Sequence, residues 1–371
     1  MDFSARRQKL FAHLSEQGIS AVCTVTPRGL RYFSGFTGGE GWLFISPELT
    51  CLVTDGRYWA QVAEQCPDIE LVKFVSKEDV RHSKKLAARL KELGFAGKIG
   101  FEGSDLSYAK WKKAEADLAE VSAVMADFGS LIDGQRVKKD SDEIEAIRKS
   151  AHAADVAWKN TVPSLKAGMT EADFCAELEY QMQKSGARKP SFDTIVASGP
   201  NGCFPHAGVT NRVICEGELI TVDFGTIVDG YCSDITRTVW LGELDKESLK
   251  IWETVRRAHD AALEAVRPGL KGTELDKIAR DIIAQAGYGE YFSHSLGHGV
   301  GIEVHEEPGL RPESQTVIEE GMFVTIEPGI YIPGKGGCRI EDLVCVTKDG
   351  YDVMSRSPYQ VPGQKHPLEA F

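Results

Sequence analysis

The sequence predicts two domains in series: an α/β layer domain over residues 1–130 and an α+β domain over residues 131–371 built on an internal duplication. Three observations carry this prediction. The chain has 371 residues, more than one ordinary core accommodates. Strand and helix patterns alternate through the first 130 residues, whereas the remainder sets long helices beside hairpin-like strand runs. And nine residues recur, GELITVDFG at 217–225 and GMFVTIEPG at 321–329, with the same end glycines, the same threonine slot and a carboxylate in the same place.

The elements follow in order. Residues 4–17 have an amphipathic helix pattern, and the apolar run ISAVCTV after them reads as a strand. GWLFIS and TCLVTD are strands, YWAQVAEQ a helix, LVKFV a short strand, 78–93 a charged helix and KIGFEG a further strand. The polar, turn-rich stretch MADFGSLIDGQRVKKDSDE holds the boundary. Beyond it, Asp140 and Glu143 have capping-box spacing, and Ile144, Ile147 and Ala151 follow at helical intervals. A second helix starts near Thr170, with Asp173 three residues on, and runs to Gly186. Strands dominate 192–241, helices cover 245–266 and 273–286, and strands continue to about 354.

Composition excludes several classes of function. With 42% hydrophobic and 26% charged residues the chain reads as a soluble globular protein. A net charge of −12 argues against nucleic acid or an anionic membrane as partner. The nine cysteines are odd in number and form no C-x-x-C pair, so reduced thiols are expected in place of disulfides or a thiolate zinc site. The first residues, MDFSARRQKLFAHLSEQG, lack the apolar centre of a signal peptide, and no run approaches a membrane span. A cytoplasmic location is the expectation.

The repeated segment carries the chemistry. In the first copy Ile220, Val222 and Phe224 alternate with Thr221 and Asp223. Asp229-Gly230 downstream is a strong two-residue hairpin signal, because both positions of a type I′ turn need positive φ. A turn there sets Asp223 opposite Thr236 and Asp234 opposite Gly225, making the two aspartates diagonal neighbours on one face, roughly 7–8 Å apart. Gly225, lacking a side chain, is expected to leave space between them. The second copy puts Glu327 in the slot of Asp223, and in GGCRIEDLVCV Glu341 shares a face with Arg339 while Asp342 points away. Each half thus offers two acids, and like charges aimed at one spot call for a proton or a cation between them. Between the copies, His294, His298 and His305 crowd into twelve residues; Gly297, Gly299 and Gly301 argue against a helix there, and at least one histidine is expected to join the acids. Four carboxylates and an imidazole make an oxygen-rich site suited to two divalent ions of the Mn²⁺ type, with Co²⁺ or Zn²⁺ as alternatives. Two such ions hold and acidify a bridging water and polarise a carbonyl, which implies metal-assisted hydrolysis.

These residues resemble the pita-bread metallopeptidases: aminopeptidase P, prolidase and methionine aminopeptidase. PNGCFPHAG, ITVDFG, DGYCSDITRT, HSLGHGVGIEVHE, TIEPGIYIPG and GCRIED stand in that family's order through most of 131–355. The resemblance implies metal ligands at Asp223, Asp234, His298, Glu327 and Glu341, with Asp234 and Glu341 bridging the ions. It also implies catalytic roles: Glu327 as general base, His305 bonding the scissile carbonyl or the tetrahedral intermediate, His206 contacting substrate on the leaving side, His294 lining a proline pocket and Arg339 orienting the site. Tyr331 is a weaker candidate for stabilising the intermediate. GFTGGEGWLFI and TDGRYWAQVAEQ are similar to the N-terminal domain of aminopeptidase P and prolidase. The implied activity is a metallo-exopeptidase, first an Xaa-Pro aminopeptidase acting on longer peptides by a metal-bridging hydroxide, with the Xaa-Pro dipeptidase as alternative. A homodimer is implied as well. Two rivals are a metal-free pita-bread binding module and a hydrolase of another amide such as creatine; the complete ligand set argues against both. Asp55 and Arg57 read as a structural salt bridge or turn, and strand parity keeps Cys232 and Cys338 off the face of the acids.

Overall fold

The computed structural model of the protein describes residues 1–371 other than Gln17 and 76–80, and leaves the side chains of Ala12, Ser15, Glu16 and Leu131 aside. The end of the first expected helix, at Gln17, and the start of the expected charged helix, at 78–80, therefore lie outside the described residues. The chain forms two compact units, Met1–Arg136 and Val137–Phe371.

The first unit is a helix-flanked sheet of six strands: β1 Ala21–Thr24, β2 Trp42–Ile45, β3 Thr50–Asp55, β4 Glu70–Phe74, β5 Gly97–Phe101 and β6 Ala123–Asp127. Their order is β4-β3-β2-β1-β5-β6, antiparallel about β2 and parallel elsewhere. The helices are α1 Phe3–Glu16, α2 Pro27–Ser34, α3 Trp59–Gln65, α4 His82–Glu92, α5 Tyr108–Ala119 and α6 Leu131–Arg136. Phe44, Cys51, Val53, Leu86, Leu90, Ile99 and Leu118 fill the core between α4, α5 and the sheet. The sequence reading left α2, α5 and β6 unassigned. Two of them carry start signals: Thr26 accepts from Gly29 N ahead of Pro27, and Ser107 accepts from Lys110 N. α6 stays with this unit because Glu102 accepts from the free backbone N–H groups of Ile132 and Asp133, so the chain parts after Arg136 rather than after 130. Arg57 pairs with Asp55 at 2.8 Å and with Glu40, as a structural ion pair does.

The second unit repeats one plan twice. Its helices are α7 Ser141–Thr161, α8 Glu171–Lys184, α9 Lys246–Ala265 and α10 Gly272–Gln285. α7 and α8 open on reciprocal capping boxes, Asp140 with Glu143 and Thr170 with Asp173. The strands of the first half are β7 Lys189–Pro190, β8 Ile195–Ser198, β9 Ile220–Phe224, β10 Thr226–Val228, β11 Tyr231–Cys232 and β12 Ile235–Val239. Those of the second are β13 Gly297–Gly299, β14 Glu306–Leu310, β15 Phe323–Ile326, β16 Gly329–Ile332, β17 Gly336–Arg339, β18 Asp342–Thr347 and β19 Gly350–Val353. In the first half α7 and α8 bury Trp158, Phe174 and Leu178 against Val222, Phe224 and Ile235. In the second α9 and α10 bury Val255, Ala262 and Leu275 against Val324, Ile326 and Val344. Each large apolar side chain so buried contributes roughly 1.5–3 kcal/mol, which fixes the opposite faces of both hairpins toward one another.

The hairpin registers are those the turns dictate. Asp229 and Gly230 both have positive φ, 49° and 75°, and Val228 pairs with Tyr231, Ile227 with Cys232 and Asp223 with Thr236. In the second copy Ile332 pairs with Gly336, Gly329 with Arg339 and Ile326 with Asp342. Neither register slips across a bulge. Among the described residues, no helix is long and apolar enough to cross a membrane.

Candidate active site

Both hairpins interrupt their ladders at the same depth, and the acids stand at the interruptions. Asp234 occupies the gap between β11 and β12, Glu327 the gap between β15 and β16, and Glu341 the gap between β17 and β18; Asp223 is the penultimate residue of β9. The hairpins are joined edge to edge, with Glu341 N donating to Thr236 O at 3.1 Å and Thr238 Oγ1 to Arg339 O at 2.7 Å. All four carboxylates therefore open into one cavity of about 840 Å³, together with His206, His294, His298, His305 and Arg339.

Gly225 is needed for a reason other than the expected one. A Cβ there would lie 2.0 Å from Ser233 O and 2.3 Å from Ser191 Oγ, so the glycine admits the neighbouring backbone and does not merely leave room between carboxylates. The same logic applies around His298, where the glycines that argue against a helix form the short strand β13. A Cβ on Gly297 would meet Thr325 O at 2.0 Å, and one on Gly299 would meet Glu307 O at 2.3 Å.

The imidazole of His298 is oriented from behind. Its Nδ1 bonds the carbonyl of Gly299 at 3.0 Å, which leaves Nε2 turned toward Glu327 Oε1 at 3.2 Å and Asp234 Oδ2 at 3.6 Å. Burial pulls the pKa of His298 down, but the hydrogen bond and charge of Glu327 outweigh it and leave it raised. Burial likewise opposes the charge of Glu327, yet His298 and, less strongly, His294 and Arg339 hold that carboxyl down at about 2. The other acids go the opposite way. Asp234 is raised by burial and by Glu341, Asp223 and Glu327; Glu341 by burial, Glu327 and Asp223; Asp223 by burial and Glu327, against the pull of Arg339.

This arrangement fits divalent metal ions. Among the described residues, Asp223 Oδ1 and Glu341 Oε1 are buried without a hydrogen-bond partner, a costly state that a cation relieves. Asp234, His298 and Glu341 each offer a ligand atom within 4.8 Å of the others, near the span of one ion with bonds of about 2.1 Å. Two of the other oxygens are held by neutral donors: Thr236 Oγ1 donates to Glu341 Oε2 at 2.7 Å, and Thr325 Oγ1 donates to Glu327 Oε1 at 3.0 Å. Such hydroxyls fix a ligand's direction without cancelling its charge.

Arg339 is the cation of the group. It donates to Asp223 Oδ2 at 2.5 Å, to Tyr331 OH at 2.7 Å, to Pro205 O at 3.1 Å and to Thr236 Oγ1 at 3.1 Å. Tyr331 passes the bond on to His294 Nε2 at 2.9 Å, while His294 Nδ1 bonds Ser295 O. Both nitrogens of His294 are thus engaged, and it turns a ring, edge-on to Phe292, toward the cavity. Tyr331 is 6% exposed and its hydroxyl is spent on this chain, which places it behind the site. His305 is exposed on one side, packs its ring edge-on to His298 with centroids 4.3 Å apart, and has no hydrogen-bond partner among the described residues; desolvation of the part of the ring inside the cavity, then His298, lowers its pKa. His206 is exposed at the cavity wall.

Away from the cavity, Asp342 points into the core, as parity predicts. It pairs with Arg237 at 2.8 Å and His259 at 3.2 Å and accepts from Tyr359. Arg237, 2% exposed, also donates to Glu341 O at 2.6 Å, so this buried ion pair grips the backbone that carries a site carboxylate. Cys232 donates to Ile302 O at 3.4 Å, and burial, then Glu306, pushes its thiol up to about 12. Sequence reasoning passed over Thr325 and Arg237, and over Thr236 as more than a register partner; Thr236 was already placed opposite Asp223 by the turn.

Comparison with known proteins bears on this geometry. Residues 145–348 match the model of metallopeptidase family M24, and residues 6–138 match that of the creatinase/prolidase N-terminal domain. An Xaa-Pro dipeptidase of Pyrococcus furiosus is 37% identical over 93% of this chain and 96% of its own length. Among solved structures, an Xaa-Pro dipeptidase from Bacillus anthracis has a TM-score of 0.91 and 38% identity, covering 97% of this chain and 99% of its own. An X-Pro aminopeptidase from Thermotoga maritima has a TM-score of 0.88 and 34% identity, covering 96% and 98%.

Proposed function

Because this chain belongs to metallopeptidase family M24 and carries a creatinase/prolidase N-terminal domain, we propose that it hydrolyses the bond before proline in Xaa-Pro dipeptides. Release of the first residue from longer Xaa-Pro peptides is the second reading. This reverses the order drawn from the sequence alone, where the longer peptide came first. The reversal rests on the Pyrococcus and Bacillus relatives, both Xaa-Pro dipeptidases similar over nearly their full length; the Thermotoga aminopeptidase keeps the second reading.

The observation that carries the reading is the convergence of four carboxylates and one imidazole on a single cavity, with Nε2 of His298 turned toward the acids. In this reading Asp223, Asp234, His298, Glu327 and Glu341 hold two divalent ions, most readily Mn²⁺. Such ions supply Lewis-acid polarisation of a carbonyl and lower the pKa of water. The chain's own groups do the rest. Glu327 would accept a proton at its carboxylate during attack. His305, whose nitrogens have no other partner, donates to the carbonyl oxygen as charge builds there. His206 meets the leaving side, the ring of His294 forms an apolar wall for the proline ring, and Arg339 keeps Asp223 in place. An Xaa-Pro amide has no N–H and restricts the residue before it, so peptidases that grip the backbone N–H cannot use it. A wall made of an imidazole face does not require that group.

The test is a set of three assays on Mn²⁺-loaded protein with an Xaa-Pro dipeptide, an Xaa-Pro-Xaa tripeptide and an Xaa-Ala control. Turnover of the dipeptide at least tenfold above the others is expected. Preference for the tripeptide would install the second reading, and turnover of the control alone would reject both.

A further inference from the structure

The cavity reaches beyond the acid cluster to a wall that the chemistry above does not use. Cys175 and Glu179, one turn apart on α8, line it with Phe192, Asp193 and Thr194, which lead into β8. Ile195 pairs across the ladder with Asp223. At about 3.3 Å per strand residue, Asp193 then lies roughly 7 Å along the chain from the position that faces the first site aspartate.

Two features of this wall point to a ligand. Thr194 is 5% exposed, and among the described residues its hydroxyl has no hydrogen-bond partner of normal geometry beyond a contact with the thiol of Cys175, a weak partner. A buried hydroxyl left in that state is destabilising unless something entering the cavity satisfies it. Glu179 is half-buried, and among the described residues neither it nor Asp193 is paired with a lysine or arginine; the contact of Glu179 is with Cys175 Sγ at 3.8 Å. Burial, then Glu179, pushes that thiol up to about 12, so it stays a neutral neighbour. Two divalent ions balance the four carboxylates of the acid cluster, and Arg339 is committed to Asp223. Glu179, half-buried, and Asp193, exposed at the rim, remain on the wall as negative charge with no lysine or arginine partner among the described residues. Phe192 beside them offers an apolar face for a methylene stem.

We infer that this wall receives the side chain of the residue before proline and selects a cationic one, lysine or arginine, whose head group meets Glu179 and Asp193 while the Thr194 hydroxyl accepts a hydrogen bond from it. The inference rests on the proposed Xaa-Pro hydrolysis and names its substrate class.

Lys-Pro, Arg-Pro, Leu-Pro and Glu-Pro, assayed with the Mn²⁺-loaded full chain, test it. The kcat/KM for Lys-Pro should exceed that for Leu-Pro by about tenfold, mostly through KM, as one partly desolvated ion pair gives, and Glu-Pro should be slowest. Glu179→Gln should cut the Lys-Pro to Leu-Pro ratio by about tenfold, and Asp193→Asn by a smaller factor. A wild-type ratio near one overturns the inference, as does a ratio that neither substitution moves. Equal losses on Lys-Pro and Leu-Pro would also overturn it, by assigning the carboxylates to the substrate's amino terminus. If Glu179→Gln does not fold, the wild-type series and Asp193→Asn still decide. Cleavage of Leu-Pro without charge preference refutes this inference alone, whereas no cleavage of any Xaa-Pro peptide refutes the reading beneath it too.

Discussion

The hydroxyl of Thr236 donates to Glu341 Oε2 and accepts from Arg339 Nε, so one small side chain aims a carboxylate and seats the guanidinium beside it. Arg339 then spreads its other donors over Asp223, Tyr331 and Pro205 O. Only a planar fork reaches those acceptors together; an ammonium is a single point charge. Arg339→Lys is therefore expected to lower kcat by on the order of 10²-fold while the protein remains folded, judged by kinetics on Mn²⁺-saturated enzyme beside its circular dichroism. Activity within about threefold of wild type would remove Arg339 from the account.

Much of this was legible residue by residue. Asp229-Gly230 sets the turn, the turn sets the register, and the register sets Asp223 and Asp234 on one face; Glu327 and Glu341 follow from the repeat. Thr236 was visible as the partner of Asp223, but an uncharged residue gives no sign of its use. The spending of both His294 nitrogens, and the approach of Cys175 and Glu179 to Thr194, depend on packing between segments far apart in sequence, so no local pattern could show them.

At the scale of elements, the short helix α6 hangs on one buried acid. Glu102 Oε1 accepts from Ile132 N and Asp133 N, while Arg28 stands 3.6 Å from Oε2. Burial, with Asp133 and Asp105 nearby, pushes its carboxyl up from 4.5 to about 7. The folded chain then holds a proton that the unfolded chain has released between those two values. Stability from this group is complete below about 4.5, declines as pH rises toward about 7, and is level above. Glu102→Gln keeps the acceptor oxygen and removes the titration. Its thermal midpoint should match wild type near pH 4 and exceed it at pH 8, by up to about 3 kcal/mol expressed as stability. A constant difference between variant and wild type across that range would refute the assignment. Elements themselves were unevenly readable. Capping boxes announced α7 and α8, whereas α2 and α5 begin on single caps, and α2 is only eight residues long.

At the scale of the whole catalytic unit, the duplication explains the site. Two helix-backed hairpins place their interrupted strands side by side, and the buried Arg237–Asp342 pair, with Arg237 gripping Glu341 O, fastens one half to the other. The same symmetry concentrates four acids and so demands cations, which should make folding and metal binding one equilibrium. Each occupied site is worth about 2.7 kcal/mol when free ion exceeds Kd a hundredfold. The most direct measurement is the metal content of the folded protein after Mn²⁺ loading and desalting, read beside its unfolding temperature with and without chelator. Two ions per chain, a fall in unfolding temperature on chelation and loss of bound metal in Glu341→Gln are predicted. A folded, metal-supplied protein that retains no ion, and whose unfolding temperature ignores both Mn²⁺ and chelator, would contradict the account at its root.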